Sequence, residues 1–454
     1  MVRETRAGRG GGHGGMLLLV AAGAIAVACG KGSGDGRAVD SHAVGGEVTP
    51  TAGPSAAAKP ACAADNGGIT LPAGFCATIF DDRAGTPRHI VVAPNGDVFV
   101  NRSSARSGGG VLALRDTNGD GQADVRETFG SGTGTGIGLV PGWLYVEHST
   151  RIVRYPMTAG RLTPNGEPEV IVTGLPTGGH DAHPFVLDGK GNLFVDLGSP
   201  SNSCQQSDRQ NRSPGKDPCP ELTMRAGIWR FDANKQNQEP TATNRYATGL
   251  RNAEGLAVHP GDGALYSTSH GRDQLSQNWG FTDQQSAELP AEELFKVDQG
   301  TDGGWPYCYY DQFQKKKVLA PEYGGDGKQV GRCAGKAEPA VAFPGHWAPM
   351  ATLFYTGRAF PAKYRDGAFV AFHGSWNRLP LPQAGFRVAF APMSGGKFTG
   401  AYETFADGFA GGEIRSMPNA AAHRPSGLAQ SPDGGIYVTD DAKGRIWKIV
   451  YVGR

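Results

Sequence analysis

The sequence predicts an all-β protein, a six-bladed β-propeller with four-stranded antiparallel blades. A tight turn that leads into an apolar strand is written at residues 94–100 and recurs at 141–146, 189–195, 260–266, 365–370 and 432–438. Glycine (70 of 454 residues) and proline (31) are abundant, which favours many short strands joined by turns. A unit repeated in this way indicates radial repetition. A β-sandwich does not predict one phrase recurring six times.

Further strands fit the intervals between these turns. In the third repeat, residues 183–187 and 192–196 flank a glycine-rich turn, the pattern of an antiparallel hairpin. A third strand is predicted for each unit, at 111–115, 152–155, 228–231, 294–297, 387–390 and 446–449. Residues 74–80 precede the first complete hairpin. We expect them to supply the outer strand of the last blade and so to close the ring.

The amino terminus is typical of an export signal. Basic residues precede an apolar run, 16–28, that is too short to span a bilayer as a stable anchor. The run ends in Ala-Val-Ala before Cys29, which resembles the lipobox of bacterial lipoproteins. Ordinary cleavage that leaves Cys29 unmodified is the alternative. We expect an exported, periplasmic or outer-membrane lipoprotein that contacts the membrane only through a lipid on Cys29.

This interpretation divides the chain into three parts. Residues 1–28 are the predicted signal peptide of lipoprotein type, and 29–60 are a flexible tether rich in Gly, Ser, Ala and Pro. Residues 61–454 form the propeller. Lysine plus arginine (44) nearly balance aspartate plus glutamate (43), so no global charge favours a nucleic-acid partner. We therefore expect a small-molecule partner.

Six cysteines remain when Cys29 is set aside, an even number that permits disulfides in an exported protein. Proximity in the sequence suggests the pairs 62–76, 204–219 and 308–333, although other connectivities are open. The chain has no Cys-x-x-Cys-His motif, so no c-type haem is expected on it.

Residues just before and just after each phrase are expected to ring one mouth of the central channel, opposite the turns. Before the turns lie His180, Arg251, Asn252 and Arg424. After them lie residues 196–199, 269–272 and 373–378, and the long insertions that follow are of the kind that build binding sites. The predicted pocket is basic and suits an anion with several acidic groups. The structural alternative is that these side chains only cap backbone carbonyls.

Several strings in the chain carry a family resemblance. They are GGH at 178–180, GLRNAEGL at 249–256, GWP at 304–306, FYTG at 354–357 and above all HGSWNR at 373–378. The chain resembles the pyrroloquinoline quinone (PQQ)-dependent soluble sugar dehydrogenases, and more closely their L-sorbosone dehydrogenase and pyranose dehydrogenase relatives, over about residues 71–451. The resemblance implies oxidation of an aldose, pyranose or sorbosone-like aldehyde by hydride transfer to the quinone. Because the chain has no haem motif, a separate electron acceptor is expected.

The resemblance also implies roles for particular residues. His180 matches the general base that takes the hydroxyl proton of the sugar, with His183 as a nearby competitor. A neutral imidazole suits this task because its pKa lies near working pH. PQQ has three carboxylates, which require a cationic cradle. By similarity the cofactor-binding residues are Arg251, Arg378 and Arg424, with Asn252 bonded to the quinone, and Ca²⁺ is held by the backbone carbonyls of Gly271 and Arg272.

Two residues depart from the family pattern beside these positions. Glu254 stands where the soluble glucose dehydrogenases have glutamine, and Gly179 replaces an acidic neighbour of the catalytic histidine. No match was found near 134–139 for the glutamine of the first blade. Substrate contacts are expected from the variable loops 203–220 and 274–289.

A separate motif at 116–127 fits the twelve-residue calcium pattern D-x-[DN]-x-[DN]-G-x5-E. It lies between two predicted strands, so it is a hairpin loop and we expect a structural role; an empty acidic turn is the alternative. The predicted oxygen ligands are Asp116, Asn118, Asp120, the carbonyl of Gln122, and Glu127.

Two other functions were weighed. One is a non-catalytic propeller that binds a glycan or a protein at the cell surface. The other is a calcium-dependent lactonase, which needs a side-chain metal cage of Glu, Asn and Asp in the channel. Only Glu254 and Asn252 look suited to such a cage.

Overall fold

In the computed structural model, which describes residues 62–105 and 109–453, six antiparallel sheets built on four strands each form the blades of a propeller. The first strands of neighbouring blades contact one another around the ring. This confirms the predicted fold. The predicted signal peptide, the tether and Cys29 lie outside the described residues.

The blades follow one another along the chain. Blade 1 comprises Pro87–Val92, Val98–Arg102, Val111–Arg115 and Val125–Phe129. Blade 2 comprises Ile137–Val140, Trp143–His148, Arg151–Pro156 and Glu169–Val172. Blade 3 comprises Phe185–Leu187, Asn192–Leu197, Gly227–Asp232 and Arg245–Thr248. Blade 4 comprises Leu256–Val258, Leu265–Ser269, Glu292–Val297 and Val341–Phe343. Blade 5 comprises Pro349–Phe354, Gly367–Phe372, Arg387–Ser394 and Glu403–Ala406, with the short strand Lys397–Phe398 beside the third.

Blade 6 joins the two ends of the described chain. Its first three strands are Pro425–Gln430, Ile436–Asp440 and Ile446–Tyr451. Its fourth is the amino-terminal strand Phe75–Asp81, which pairs antiparallel with Ile446–Tyr451. The ring is therefore closed as predicted, by a strand from before the first blade.

The repeated phrase supplies the second strand of every blade. Each of these strands carries a buried triplet, such as Val98-Phe99-Val100, that packs between neighbouring blades. The residue directly after the triplet has the same position in each blade and is buried in all six. We call it the junction residue: Asn101, Glu147, Asp196, Thr268, Ala371 and Thr439.

Insertions are concentrated in blades 3 to 5. Residues 198–226 separate the second and third strands of blade 3, and two short helices, Leu275–Trp279 and Asp283–Glu288, lie in the corresponding place in blade 4. Blade 4 also carries the hairpin Cys308–Asp311 and Lys316–Leu319. Short 3-10 turns occur at Asn66–Gly68, Pro220–Thr223, Ala242–Asn244, Pro321–Tyr323, Gly331–Cys333, Ala362–Tyr364 and Pro418–Ala420.

The cysteine pairing follows the sequence neighbours. Disulfides join Cys62 to Cys76, Cys204 to Cys219, and Cys308 to Cys333. The last two fasten the insertions of blades 3 and 4. Among the described residues, no helix is long and apolar enough to cross a membrane.

Candidate functional site

The segments that enter the first strands and leave the second strands meet at one mouth of the propeller, where they line a cavity of 330 Å³. Small-molecule sites range over roughly 300–1,000 Å³. His180, Arg251, Arg424 and Gly271 all line it, as the offset from the turns predicts. The basic groups on its wall are the guanidiniums of Arg88, Arg209, Arg251 and Arg424 and the imidazoles of His180, His270, His346 and His373.

His180 is held in one tautomer. Its Nδ1 lies 2.8 Å from the carbonyl oxygen of Ser199, which can only accept, so Nδ1 carries the hydrogen and donates it. Nε2 is then left with its lone pair. Burial, and next the charge of Arg251, lowers the pKa of His180 to about 3. The ring is therefore neutral near pH 7 and its Nε2 is unprotonated, although burial makes it a weaker base than the imidazole with a pKa near working pH that the sequence analysis expected.

His183 occupies a different environment. It is fully buried, with Nδ1 3.1 Å from the carbonyl of Asp196 and Nε2 2.9 Å from the carbonyl of Pro176. Both ring nitrogens are therefore engaged with backbone carbonyls. Of the two candidate histidines, His180 is the one on the cavity wall.

Arg251 is fixed by protein partners on several sides. Its Nη2 donates to Asp273 at 2.9 Å, and its Nη1 donates to the Gly271 carbonyl at 2.9 Å. Arg209, from the disulfide-bonded loop of blade 3, also donates to Asp273 at 2.9 Å. Burial raises the pKa of Asp273, but the two guanidiniums outweigh it and hold that pKa well below its usual range. Two cations on one carboxylate leave a net positive charge at the cavity.

Arg424 is held by carbonyl groups. Its Nε donates to His373 O at 2.9 Å and its Nη2 to Gly374 O at 2.8 Å. These neutral acceptors orient the guanidinium, while the nearby carboxylates of Asp441 and Asp440 stabilise its charge. Arg424 is therefore a second source of positive charge on the wall.

Arg378 lies away from the cavity wall. It is buried and donates to the carbonyls of Ala287 and Gly345 and, at 2.7 Å, to the Glu288 carboxylate. These bonds tie the segment 373–386 to the second short helix of blade 4. The structure thus separates Arg378 from Arg251 and Arg424, with which the sequence analysis grouped it.

Asn252 is buried beside the cavity. Its Nδ2 lies 3.4 Å from Glu254 Oε1 and 3.3 Å from His270 Nδ1, and its Oδ1 has no hydrogen-bond partner. Because Nε2 of His270 faces the Pro349 carbonyl at 2.9 Å, it carries the hydrogen, and Nδ1 accepts from Asn252. His270 therefore has no free lone pair.

The predicted calcium ligands Gly271 and Arg272 follow the second strand of blade 4. Gly271 lines the cavity, and its amide donates to Glu292 Oε2 at 3.1 Å. Burial raises the pKa of Glu292 to about 8. The side chain of Arg272 points elsewhere, into a buried ion pair with Glu322.

Sequence reasoning missed several wall residues. Arg88 lies on the first strand of blade 1, with Nη1 2.8 Å from Asp441 Oδ2 and Nη2 3.7 Å from Glu254 Oε1. It precedes the first turn, so the offset argument could have found it. Arg209, in an irregular loop, gives no such signal, and the same is true of His346, which reaches the wall after the fourth strand of blade 4.

Carboxyl groups gather around Arg88. An adjoining cavity of 320 Å³ shares Arg88 and is lined by Glu147. We call Glu147, Asp196 and Glu254 the acidic junction; all three are buried. Burial raises the pKa of Glu147 to about 7, and burial together with mutual repulsion raises those of Asp196 and Glu254.

The predicted calcium loop has acidic groups bonded to its own backbone. Asp116 accepts from the amides of Gly119 (2.7 Å) and Gly121 (2.9 Å), and Asp120 accepts from the Gln122 amide at 2.8 Å. A metal site needs several ligand atoms close together. Among the described residues, Cys204, Cys219 and Glu221 form a group of three potential ligands whose atoms lie within 4.8 Å of one another. Its two cysteines form a disulfide, so it is not a metal site.

Comparison with known families gives one match over most of the chain. The family model described as TrAA12-like matches residues 69–452. This covers all six blades.

Two curated proteins match parts of the chain. An uncharacterised protein of Borreliella burgdorferi is 28% identical over 208 residues, 45% of this chain and 48% of its own length. A pyrroloquinoline quinone-dependent pyranose dehydrogenase of Coprinopsis cinerea is 27% identical over 187 residues, 35% of this chain and 25% of its own length. The matched regions thus span half or less of these relatives.

Solved structures show the same fold. A Trichoderma reesei protein of Carbohydrate-Active Enzymes Family AA12 superposes with a TM-score of 0.69 at 18% identity, covering 85% of this chain and 98% of its own. The PQQ domain of the Coprinopsis cinerea pyranose dehydrogenase, in its holo form, gives 0.68 at 20% identity, with coverages of 86% and 98%. The soluble aldose sugar dehydrogenase of Escherichia coli gives 0.54 at 15% identity, with coverages of 83% and 99%.

Proposed function

Because the chain belongs to the TrAA12-like family, we propose that it is a PQQ-dependent dehydrogenase that oxidises a sugar. Relatives named as PQQ-dependent enzymes support the cofactor. The observation that carries the proposal is the pairing on one cavity wall of a neutral histidine, His180, with the guanidiniums of Arg251, Arg209 and Arg424.

The cavity fits a polyanionic cofactor. PQQ carries three carboxylates, and guanidinium groups bind carboxylates with two parallel hydrogen bonds. Arg424 presents its charge from neutral carbonyl partners, while Arg251 and Arg209 together exceed the single charge of Asp273. We assign Arg251 and Arg424 to the carboxylates of the cofactor and Asn252 to its quinone. Arg209 is a further candidate.

When bound, PQQ supplies the acceptor for the hydride that leaves the sugar carbon. His180 takes the proton from the hydroxyl group of the sugar at Nε2. The bond from Nδ1 to Ser199 O keeps that nitrogen unprotonated and makes the ring more basic as the proton arrives. The low pKa of the ring ensures that the base is free at neutral pH.

Calcium has two proposed places. The carbonyls of Gly271 and Arg272 would hold one ion at the cavity, where the carboxyls of Glu292 and Asp273 line the same wall. A positive ion there would favour the ionised form of Glu292. The loop 116–127 would hold a second, structural ion.

The substrate class is a pyranose, another aldose or a sorbosone-like aldehyde, and the electrons pass to a separate acceptor. Trp376 is 41% exposed at the cavity and Arg209 lies 5.5 Å above its ring, so both are placed to contact a sugar. We further propose that this oxidation takes place outside the cytoplasmic membrane, on the basis of the predicted export signal and the predicted lipid on Cys29.

The test is reconstitution of the purified protein with PQQ and Ca²⁺. We expect saturable binding of PQQ, followed by bleaching of its oxidised spectrum on addition of an active sugar and reduction of an artificial dye. Protein without PQQ is the control. If PQQ fails to bind, the proposed function is wrong; if PQQ binds and no sugar in a broad panel reduces it, a non-catalytic propeller replaces it.

A further inference from the structure

The six junction residues reveal an exception in the repeat. Each follows the buried triplet of its second strand and is buried in every blade. Equivalent positions in a propeller have equivalent neighbours, so a polar residue there faces the start of the next blade. The contacts of the other blades therefore show what the position ordinarily does.

In four blades the junction residue bonds to the lead-in of the next blade. Asn101 donates to Gly136 O at 3.0 Å, and Thr439 donates to Arg88 O at 2.7 Å. Thr268 donates to Pro349 O at 3.4 Å. Glu147 accepts from the His183 amide, in the lead-in of the next blade, at 2.9 Å, and also from the Thr135 and Gly136 amides, in the lead-in of its own blade, at 2.7 and 2.8 Å.

Asp196 does not follow this pattern. Its exposed fraction is 0%, and the contact its carboxylate receives from the Ala253 amide falls short of normal hydrogen-bond geometry, so neither oxygen has a well-formed partner. It is one methylene shorter than Glu147, which reaches the lead-in of the next blade. A buried carboxylate with so weak a partner is strongly disfavoured, so a cation or a proton is expected beside it.

Glu254 adds a second unpartnered oxygen at the same place. It is 4% exposed, its Oε2 lacks a hydrogen-bond partner, and the strongest charge interaction of Asp196 is repulsion from it. The unpartnered Oδ1 of Asn252 lies in the same segment. Oxygen atoms converge here from the second strand of blade 3 and the lead-in to blade 4.

Charge balance favours a cation. In this part of the described chain, four carboxyl groups meet three guanidiniums. Arg88 is shared between Asp441 and Glu254, Arg424 acts on Asp441, and Arg225 acts on Asp196 from its place among backbone carbonyls. The carboxyl groups are Glu147, Asp196, Glu254 and Asp441. With all four ionised, one negative charge is left over.

We propose that the junction of blades 3 and 4 binds a calcium ion through the carboxylate of Asp196 and Oε2 of Glu254. Hard oxygen ligands and a coordination number that water can complete suit Ca²⁺ better than a transition metal. Because Glu254 lines the cavity, an ion reaches the site from the mouth. The ion would replace the missing hydrogen bonds of Asp196 and lock the two blades together.

The competing explanation is a proton shared between Asp196 and Glu254. It accounts for the unpartnered oxygens without an ion, and it predicts no calcium uptake at this junction. Measurement of bound calcium separates the two explanations.

The experiment is equilibrium dialysis of the purified, PQQ-free protein against Ca²⁺ near neutral pH. We expect Asp196→Asn to bind one calcium fewer per chain than the wild type. Asp120→Asn, in the surface loop 116–127, is the matched control. If the two calcium sites are independent, the calcium lost in the double variant should equal the sum of the losses in the two single variants. Equal uptake by Asp196→Asn and the wild type would overturn the proposal.

A second variant and a second measurement cover a failure of Asp196→Asn to fold. Glu254→Gln keeps the size of the side chain and removes one ligand charge, so it should weaken calcium uptake by at least tenfold. In crystals of the wild type grown with Sr²⁺, an anomalous peak should lie between Asp196 and Glu254. Ordered side chains with no peak between them would establish the shared proton instead.

Discussion

Two groups of charged residues at the propeller mouth differ in how their buried charge is satisfied. In the first, which we call the cationic side, Arg251 and Arg424 have their guanidiniums fixed by carbonyl or carboxylate partners and still face the cavity. On the acidic junction, Asp196 and Glu254 keep oxygens that have no partner. The cationic side is organised in advance for an anion, whereas the acidic junction is incomplete without a cation or protons.

This comparison shows that the repeat determines where a buried polar side chain lies, but not whether that side chain finds hydrogen-bond partners. Glu147 and Asp196 occupy one repeat position in adjacent blades. The first accepts three backbone amides, and the second has none of normal geometry. The repeat position is satisfied by the backbone at Glu147 and is left open at Asp196.

The largest expected effect concerns the catalytic base on the cationic side. His180→Asn should lower kcat by about 10²–10⁴-fold, the range attributed to general base catalysis, while the Kd for PQQ stays within about threefold. Steady-state kinetics with dye, together with PQQ titration, check both. His270→Asn is the matched control: its Nδ1 accepts from Asn252 and its Nε2 donates to Pro349 O, so it has no free lone pair to contribute. A similar loss of kcat in both variants would remove the special role of His180.

The next effect concerns the acidic junction and pH. Burial raises the pKa of Glu147 from its ordinary 4.5 to about 7, against three amide bonds that lower it. The folded state therefore binds more protons than the unfolded state between those values, and this group makes the protein less stable as pH rises through that window. At 1.36 kcal/mol per unit of pKa shift, the loss is roughly 3 kcal/mol.

Glu147→Gln tests that slope. In chelator-treated protein, the stability of the variant relative to the wild type should increase by roughly 3 kcal/mol between pH 4.5 and 7.5, measured by urea unfolding at several pH values. Histidines whose pKa is lowered, such as His180 and His270, make stability rise with pH in both proteins. Their contribution therefore cancels when the variant is compared with the wild type at each pH. A pH-independent difference would mean that Glu147 is ionised throughout.

A smaller effect is expected for the cofactor cradle. Arg424→Gln should weaken PQQ binding by about 10–100-fold, since a hydrogen bond to a charged group contributes roughly 1.5–3 kcal/mol. Arg378→Gln is the control. Its guanidinium bonds to Ala287, Gly345 and Glu288 away from the wall, so the variant should be less stable with its PQQ affinity unchanged. Loss of PQQ affinity in Arg378→Gln would instead show that Arg378 contributes to binding the carboxylates of PQQ.

The fold could be predicted because its cause is local and repeated. A glycine turn and an alternating strand specify a hairpin, and six copies specify a ring that residues 75–81 close. The same register placed His180, Arg251 and Arg424 on one wall, since their distance from each turn is short and regular.

The rest of the site depends on long-range packing that no offset encodes. Arg378 is drawn away from the wall by the second helix of blade 4, and Arg209 reaches it from a loop held by the Cys204–Cys219 disulfide. The exception at Asp196 was hidden for another reason. Aspartate and glutamate are equivalent in a pattern, but only the longer side chain of Glu147 reaches its amides.

The smallest effect tests a charged region that is satisfied by its own backbone, in contrast to the acidic junction. In the loop 116–127, Asp120 is half-exposed and its Oδ1 accepts from the Gln122 amide, a bond that the Oδ1 of asparagine can also accept. Without calcium, Asp120→Asn should therefore change Tm by less than about 1 °C, because surface substitutions contribute within about 0.5 kcal/mol. With calcium, the wild type should gain a few degrees that the variant lacks, since the ion binds only the folded loop. Differential scanning calorimetry with and without chelator measures both. Identical calcium responses in the two proteins would show that this loop is an acidic turn, held by its own amides, and that any calcium stabilisation arises elsewhere in the propeller.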